Sequence, residues 1–388
     1  MLLSTIGGVG MWSVVVVLPT VQAEFGVDRA GASFPFTLTM MGFGVGGAIM
    51  GRIADKVGIV APVMIGASAI GAGYLLASQT NDIVSFALVY GLLIGLTGTA
   101  ATFAPLMADI SHWFEKRRGI AVALCASGNY IGGAIWPTVV EHFVREIGWR
   151  ETHMWIGLFC LVTMVPLSLL LRGGGPVHAH GSVVASAPRL GLMGLSPRLV
   201  MGLLCVSGVS CCVAMSMPQV HIVAYCGDLG YGVARGAQML SLMLGFGIVS
   251  RLLSGWIADR IGGLRTLLLG SLLQGIALLL FLPFDGLVSL YVISAMFGLF
   301  QGGIVPSYAI IVREYFPPAE AGARVGSVLT ATLFGMALGG WMSGKVFDLT
   351  GSYHAAFING TLWNLLNFSI AAWLYWRVGG FRAKAQAA

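Results

Sequence analysis

Arg251 is a positive charge inside a long apolar stretch of the chain, with no other charged residue between Arg235 and Asp259. It lies eight residues before Asp259, which on a helix is a rise of about 12 Å. If Asp259 marks a membrane surface, Arg251 is near the bilayer midplane, where a charge costs about 3 kcal/mol or more and usually serves a function. A guanidinium can hold a carboxylate through two parallel hydrogen bonds. We therefore expect Arg251 to bind an anion; the alternative is an arginine that snorkels to the surface or ties helices together through carbonyl groups.

The expected counter-ion of Arg251 is the ligand itself. Asp109 and Glu141 fall at predicted helix ends, and Asp228 lies beyond the end of a predicted helix. No fixed negative charge is therefore expected at the depth of Arg251. One cation without a protein partner favours a ligand with a single negative charge.

Four further residues are predicted to complete the pocket. The imidazole of His221 titrates near neutral pH and could relay a proton, while amide and phenol groups suit a carboxylate or hydroxyl partner. For each residue the alternative is a hydrogen bond between packed helices. The predicted substrate-binding residues beside Arg251 are His221, Asn129, Tyr130 and Tyr308.

The sequence also contains one eight-residue signature twice, at 51–58 and 255–262. Each copy ends one apolar segment and begins another, and its glycines suit a tight turn between two helices. The acidic and basic residues can pair across that turn or meet a helix end. We expect the two copies to form a conformational gate made of Gly51, Asp55, Lys56, Gly58, Gly255, Asp259, Arg260 and Gly262.

The composition identifies a polytopic membrane protein. Of 388 residues, 57% are hydrophobic and only 9% are charged, whereas soluble domains carry about 25% charged residues. A helix that crosses a bilayer needs about 20 apolar residues. The apolar windows predict twelve spans, near 2–22, 34–51, 59–78, 83–108, 119–140, 154–172, 199–222, 237–257, 264–283, 286–311, 323–344 and 355–377.

The basic residues predict the orientation of these spans. Fifteen of the 21 lysines and arginines fall on the side that holds both termini, five fall on the other side, and Arg251 is inside a span. The positive-inside rule then predicts that both termini are cytoplasmic. The net charge of +6 is thus a topology signal and does not indicate nucleic-acid binding. The first window lacks a small-residue cleavage pattern and is expected to remain as a membrane anchor.

The repeated signature divides the chain into two related halves. We predict an all-α fold with an N-terminal six-helix half at 1–172, a cytoplasmic linker at 173–198 and a C-terminal six-helix half at 199–388. Parallel halves with the substrate path between them are a known transporter design. Spans 2, 5, 8 and 11 are rich in glycine, which allows close helix crossings. We expect these four spans to form the interface between the halves.

The two signature copies resemble the loops after spans 2 and 8 of the major facilitator superfamily. The segment 113–121, followed by 126–128, looks like the entry to span 5 in the monocarboxylate-porter and oxalate:formate-antiporter families, and the segment 25–29 is similar to their bacterial members. Arg251 falls where these families carry a substrate-binding arginine. The resemblance implies a twelve-helix carrier of small organic anions.

Two departures from these families narrow the expectation. The oxalate:formate antiporters carry a lysine in span 11, but none occurs between Val325 and Gly344, which disfavours a dicarboxylate. Animal monocarboxylate transporters carry an aspartate one helical turn before the arginine, where this chain has Gly247. A proton-coupled mechanism would then depend on His221, on the substrate or on another group.

The combined expectation is a secondary active transporter of a monocarboxylate, working by alternating access in a bacterial-type cytoplasmic membrane. Its expected partners are the small carboxylate, the lipid bilayer, and either protons (symport) or a counter-anion (exchange), with no nucleic acid. No nucleophile–base pair and no metal-ligand spacing is visible, so we expect neither an enzyme nor a metal or cofactor. The alternatives are an efflux carrier for drugs or other amphiphiles and a membrane sensor that does not transport.

Overall fold

The computed structural model describes residues 1–113, 118–173 and 195–387. Most of the predicted linker at 173–198, and residues 114–117 of the segment 113–121, lie outside the described residues. The predicted division into 1–172 and 199–388 therefore stays a prediction. Every regular element in the described part of the chain is a helix.

In the described part of the chain, twelve helices cross the molecule, and three of them consist of more than one piece. Their bounds are α1 Leu2–Gly7 with Val9–Phe25, α2 Arg29–Val57, α3 Val60–Ala77, α4 Ile83–Val89 with Tyr90–Thr99 and Ala104–Trp113, α5 Arg118–Ile147, α6 Trp149–Leu169, α7 Pro197–Asp228, α8 Val233–Ile261, α9 Gly263–Leu280, α10 Leu287–Gln301 with Ile304–Tyr315, α11 Pro318–Thr350 and α12 Tyr353–Ala387. Over the described residues, ten of these (α1–α4 and α6–α11) are long and apolar enough to span a membrane.

The predicted all-α membrane fold with twelve spans is confirmed. Several helices are longer than their apolar windows. For example, α2 begins at Arg29 and α11 runs from Pro318 to Thr350. The windows were too short because they count only apolar residues, whereas polar turns continue a helix beyond the hydrocarbon layer.

The last glycine of each signature copy ends a helix. Gly58 follows α2 with a φ of 83°, and Gly262 follows α8 with a φ of 85°. This left-handed backbone suits glycine because it has no Cβ atom. The next helix begins at once, at Val60 after the first copy and at Gly263 after the second. The signatures are therefore tight turns between antiparallel helices, as the sequence predicted.

A neutral hydrogen-bond network holds the N-terminal half together. The Ser13 hydroxyl of α1 lies 2.5 Å from the Tyr74 hydroxyl of α3 and 3.2 Å from the Tyr90 hydroxyl of α4. The Tyr90 hydroxyl also lies 2.6 Å from Nε2 of His153 in α6. All four side chains are fully buried. Because none of them needs a charge, the network joins four helices without burying an ion.

The halves meet where the glycine-rich helices cross, α2 on α11 and α5 on α8. A Cβ atom on Gly340 of α11 would lie 3.0 Å from the Phe36 ring of α2, and one on Gly133 of α5 would lie 2.7 Å from Leu244 of α8. Backbone approach this close depends on glycine. The expectation that spans 2, 5, 8 and 11 form this interface is confirmed.

Between α2 and α11 the interface is closed at one end and open at the other. We call the end with both chain termini the terminal face, and the other end the opposite face. At the opposite face Gly344 of α11 packs on Ala30 of α2, and contact continues to Gly44, which lies near Leu333. Nearer the terminal face, a Cβ atom on Gly51 or Gly326 would meet nothing within 4 Å. A cleft between the halves therefore opens at the terminal face.

We expect Gly298→Ala to destabilise the protein by about 1–3 kcal/mol through overpacking. An added Cβ atom would overlap the carbonyl oxygen of Met243, where α10 crosses α8. The matched control is Gly326→Ala, because the added Cβ atom meets open space. This substitution also replaces glycine, a poor helix former, with a good one. Thermal unfolding in detergent measures both, and equal melting temperatures for the two variants would contradict the packing argument.

Candidate functional site

Arg251 lies in the middle of α8, at the inner end of the cleft. It is ten residues before Ile261, where α8 ends at the terminal face, which is about 15 Å along the helix. Its guanidinium carbon lies 3.9 Å from the centre of the Tyr130 ring of α5. This contact joins the two halves. One turn further along α8, a Cβ atom on Gly255 would meet nothing within 4 Å, so Arg251 and Tyr130 border the open space.

Two glycines hold the helical turn that carries Arg251. A Cβ atom on Gly247 would lie 2.5 Å from Cε1 of the Tyr130 ring, so the ring lies directly against the α8 backbone. On another side of this turn, Gly302 of α10 packs so closely that its Cβ atom would lie 2.5 Å from the Gly247 carbonyl oxygen. Gly302 is at the break between the two pieces of α10. The ring and the broken helix together fix the position of Arg251.

The charge of Arg251 has no carboxylate partner among the described residues. Its Nε atom is buried without a hydrogen-bond partner, and the residue as a whole is half-buried. Stacking on an aromatic face stabilises a cation by about 0.5–2 kcal/mol and leaves the edges of the guanidinium unused. Those edges can donate two parallel hydrogen bonds to an anion.

Asn129 is next to this site, but its amide group is occupied. Its Oδ1 atom accepts a hydrogen bond from Nε1 of Trp12 at 3.4 Å, and its Nδ2 atom donates to the sulfur of Met11 at 3.1 Å. Both partners are in α1. Asn129 therefore orients Trp12, whose indole lies against Gly133, and it does not face the cleft with a free amide in this conformation.

Tyr308 lies inside the C-terminal half. Its hydroxyl donates to Oδ1 of Asn367 at 2.7 Å and lies 3.1 Å from the Ser207 hydroxyl. Asn367 also donates to the Ser271 hydroxyl at 2.7 Å. This network joins α7, α9, α10 and α12, as the Ser13 network joins α1, α3, α4 and α6. The fully buried hydroxyl of Tyr308 thus holds helices together and is not brought to Arg251.

His221 is also separated from Arg251. It is fully buried in α7, seven residues from the opposite-face end of the helix. Its Nε2 atom lies 2.8 Å from the carbonyl oxygen of Gly340 in α11, so Nε2 carries the proton. The five predicted pocket residues are therefore not assembled in this conformation. Only Arg251 and Tyr130 meet at the cleft, because His221 and Tyr308 face other helices.

Sequence reasoning missed the packing role of Gly247 and did not place Trp12 or Gln301 in the pocket. Gln301 is fully buried just before the break in α10, and neither its oxygen nor its nitrogen has a hydrogen-bond partner. The adjacent pair Gly302–Gly303 was the available signal, since two glycines inside an apolar helix commonly mark a bend or a close approach. The direction of each side chain was not readable from that signal.

Comparison with known proteins identifies the family. The family model described as Major Facilitator Superfamily matches residues 1–294 and 248–385. The chain belongs to the major facilitator superfamily.

Relatives of this transporter include rat monocarboxylate transporter 13, which is 28% identical over 81% of this chain and 72% of its own. The Bacillus subtilis protein named uncharacterized MFS-type transporter YcxA is 25% identical, over 87% of this chain and 83% of its own. Because these relatives are transporters, the chain is a transporter and not an enzyme. The predicted resemblance to monocarboxylate porters is confirmed.

Two solved structures share the fold of this transporter. The nucleoside transporter NupG superposes with a TM-score of 0.70 at 17% identity, over 98% of each chain. A bacterial homolog of the human lysosomal transporter Spinster, crystallised in an inward-facing and unoccupied conformation, superposes with a TM-score of 0.72 at 14% identity, over 98% of this chain and 96% of its own.

The predicted gate residues of the transporter lie apart at the open face. Asp55, Lys56, Asp259 and Arg260 are exposed. Cβ atoms on Gly51, Gly58 and Gly255 would meet nothing within 4 Å, and the guanidinium of Arg260 lies over the Trp256 ring of its own helix. The two signature turns make no contact with each other in this conformation.

We expect Arg251 and Tyr130 to stabilise the folded transporter together by about 0.5–2 kcal/mol. Arg251→Met, Tyr130→Leu and the double variant form a cycle that isolates this coupling, with thermal unfolding in detergent as the measurement. Tyr130→Phe is the control, because it keeps the ring and removes only a hydroxyl. A coupling of zero, or a Phe variant as unstable as the Leu variant, would contradict the stacking interaction.

Proposed function

We propose that this transporter moves a small organic anion, best matched by a monocarboxylate, across the membrane by alternating access. The observation that carries the proposal is Arg251 at the inner end of the cleft, stacked on Tyr130 and, among the described residues, without a carboxylate partner. A guanidinium in this setting suits a planar anion with two oxygen atoms.

The chemistry of binding follows from the charge of Arg251. A carboxylate that enters from the terminal face can accept two hydrogen bonds from the edge of the Arg251 guanidinium, while the Tyr130 ring covers one face of that guanidinium. Closing the cleft around an unpaired arginine is unfavourable because the charge loses water. The bound monoanion neutralises that charge, so the loaded transporter closes more easily than the empty one.

Two observations support the anion and the orientation. Relatives that match most of this chain are named monocarboxylate transporters, and these sequence similarities agree with the arginine chemistry. The excess of basic residues on the side of the termini favours a cytoplasmic terminal face in a bacterial-type cytoplasmic membrane. The cleft would then open to the cytoplasm.

The coupling partner in this proposal is either a proton or a counter-anion. The turn before Arg251 has no space for an acidic side chain, because the Tyr130 ring lies against Gly247. His221 is buried away from the cleft and bonded to Gly340. A proton carried together with the substrate, or exchange of one anion for another, both fit this charge arrangement.

Transport by reconstituted protein tests the proposal. In proteoliposomes we expect saturable uptake of labelled monocarboxylates, and Arg251→Gln should lower kcat/KM by about tenfold to a hundredfold through loss of a charge-assisted pair. Arg251→Lys should recover only part of the activity because it lacks the planar fork. The matched control is Arg235→Gln on the same helix, where the arginine is exposed at the opposite face and bonds Gln238.

Four results decide between the alternatives. Uptake that a pH gradient accelerates identifies symport, whereas uptake that depends on anion inside the vesicle identifies exchange. Carboxylate uptake that survives Arg251→Gln unchanged would remove the arginine from the site. Transport of cationic or neutral amphiphiles that carboxylates do not inhibit would instead favour the efflux carrier.

We further propose that the two signature turns latch the terminal face when it closes. Asp55 and Asp259 are exposed here because the terminal face is open. We expect Asp55→Asn and Asp259→Asn to slow the switching between conformations, and with it the transport rate, about tenfold. Substrate affinity should change much less. The matched control is Asp285→Asn, an exposed carboxylate at the opposite face. If affinity falls as much as the rate, these carboxylates do not act as a latch.

A further inference from the structure

A carboxylate of one half caps a helix of the other half at the opposite face. Asp348, near the end of α11, accepts hydrogen bonds from the backbone N–H groups of Arg29 and Ala30, both at 2.8 Å. These are the first two residues of α2, whose own cap, Asp28, accepts from the N–H of Gly31 at 2.7 Å. The positive end of α2 is thus bound by a carboxylate from each half.

The side chain of Arg29 makes a second connection between the halves. Its Nη2 atom donates to Asp228 at the end of α7, 3.0 Å from one carboxylate oxygen and 3.2 Å from the other. The guanidinium lies over the rings of Phe347 and Tyr353, at 4.9 and 5.7 Å. Only 8% of the Arg29 side chain is exposed, whereas 41% of the Asp228 side chain is exposed, so water screens this pair from the Asp228 side.

Charged contacts between the halves are concentrated at this edge of the opposite face. At the opposite-face end of the α5–α8 edge, the described residues offer only a pair of hydroxyls across the interface, Thr138 and Ser241 at 2.9 Å. The nearby Arg145 pairs with Glu141 and Glu146 of its own helix. The contact between Arg251 and Tyr130 lies deeper in the molecule. At the opposite face, separation of α2 from α11 therefore breaks ionic contacts, whereas separation of α5 from α8 breaks a neutral one.

The edge of the opposite face where α2 meets α11, which we call the closed edge, also contains buried polar atoms without hydrogen-bond partners. These are Nε and Nη1 of Arg29, Nδ1 of His221 and the hydroxyl of Tyr353. A buried polar atom without a hydrogen bond is unfavourable, and it gains water when the surfaces part. The ionic contacts that favour closure are thus opposed by atoms that favour opening. Opposed terms of this kind suit an element with two states of similar free energy.

We propose that the opposite face is held shut by a lock consisting of Asp348, the first turn of α2, and the Arg29–Asp228 pair. The lock keeps the cleft open at the terminal face, and its release is the step that opens the path at the opposite face. This inference goes beyond the proposed function, since a transporter of any cargo would have to break the same contacts.

Cysteine accessibility tests the lock without any substrate. Ala30 is buried where α2 meets α11, so Ala30→Cys reports exposure of this surface to a hydrophilic maleimide in lipid nanodiscs. In the Ala30→Cys background, Asp348→Asn retains one acceptor of two and Asp228→Asn removes the charge partner of Arg29. We expect either change to raise the labelling rate about tenfold, the effect of losing one charge-assisted contact. The parent protein with alanine at position 30 corrects for labelling of its own cysteines.

The matched control is Asp82→Asn, at the same face. Asp82 caps α4 by accepting from the N–H groups of Val84 and Ser85, and the Ser85 hydroxyl lowers the pKa of its carboxyl group. All its partners are in its own half, so this change should leave labelling of Ala30→Cys unaltered. Equal labelling across all three variants would overturn the lock, whether all stay slow or all become fast. Monodisperse elution of each variant establishes that folded protein is compared, and either lock variant alone suffices if the other does not fold.

Discussion

A positive charge in the middle of a bilayer must be paired, hydrated or stacked, and Arg251 depends on two of these conditions at once. Its guanidinium stacks on Tyr130 while the residue borders a cleft that opens to one face. Both conditions require that the two halves meet along α5 and α8 and separate beyond Arg251. Gly247 and Gly302 make this arrangement possible, because they let the Tyr130 ring and the broken helix α10 approach the turn that carries Arg251.

The two halves are built to stay intact while the surface between them changes. Within each half, neutral hydroxyl, amide and imidazole groups join four helices, through Ser13 in one half and Ser207 in the other. Between the halves, much of the contact is glycine against side chain or backbone, which holds few directional bonds. Hydrogen-bond networks within each half, and contacts with few directional bonds between the halves, favour motion of each half as a rigid body.

Charge marks the two places where the interface has a specific chemistry. Arg251 at the inner end of the cleft has no carboxylate partner among the described residues, and in our proposal the ligand supplies the negative charge. Arg29 at the opposite face is paired with Asp228, and the adjacent helix end is capped by Asp348. An unpaired arginine at one depth and a paired arginine at another give the same residue type two roles. The first binds cargo in our proposal, and the second keeps one end closed.

Sequence alone determined the membrane class, the twelve spans, the paired turns, the glycine-rich interface and the depth of Arg251, because hydropathy and helical rise are properties of each segment by itself. Only the tertiary structure decided which way the side chains face. His221 and Tyr308 lie at plausible positions along their helices, yet one bonds Gly340 and the other Asn367. The rotation of a helix about its axis is set by its neighbours, and an apolar membrane helix carries little amphipathic pattern to reveal it. The partner of Arg251, the space closed by Gly247 and the cap from Asp348 are contacts between distant segments, and they exist only once the two halves are packed together.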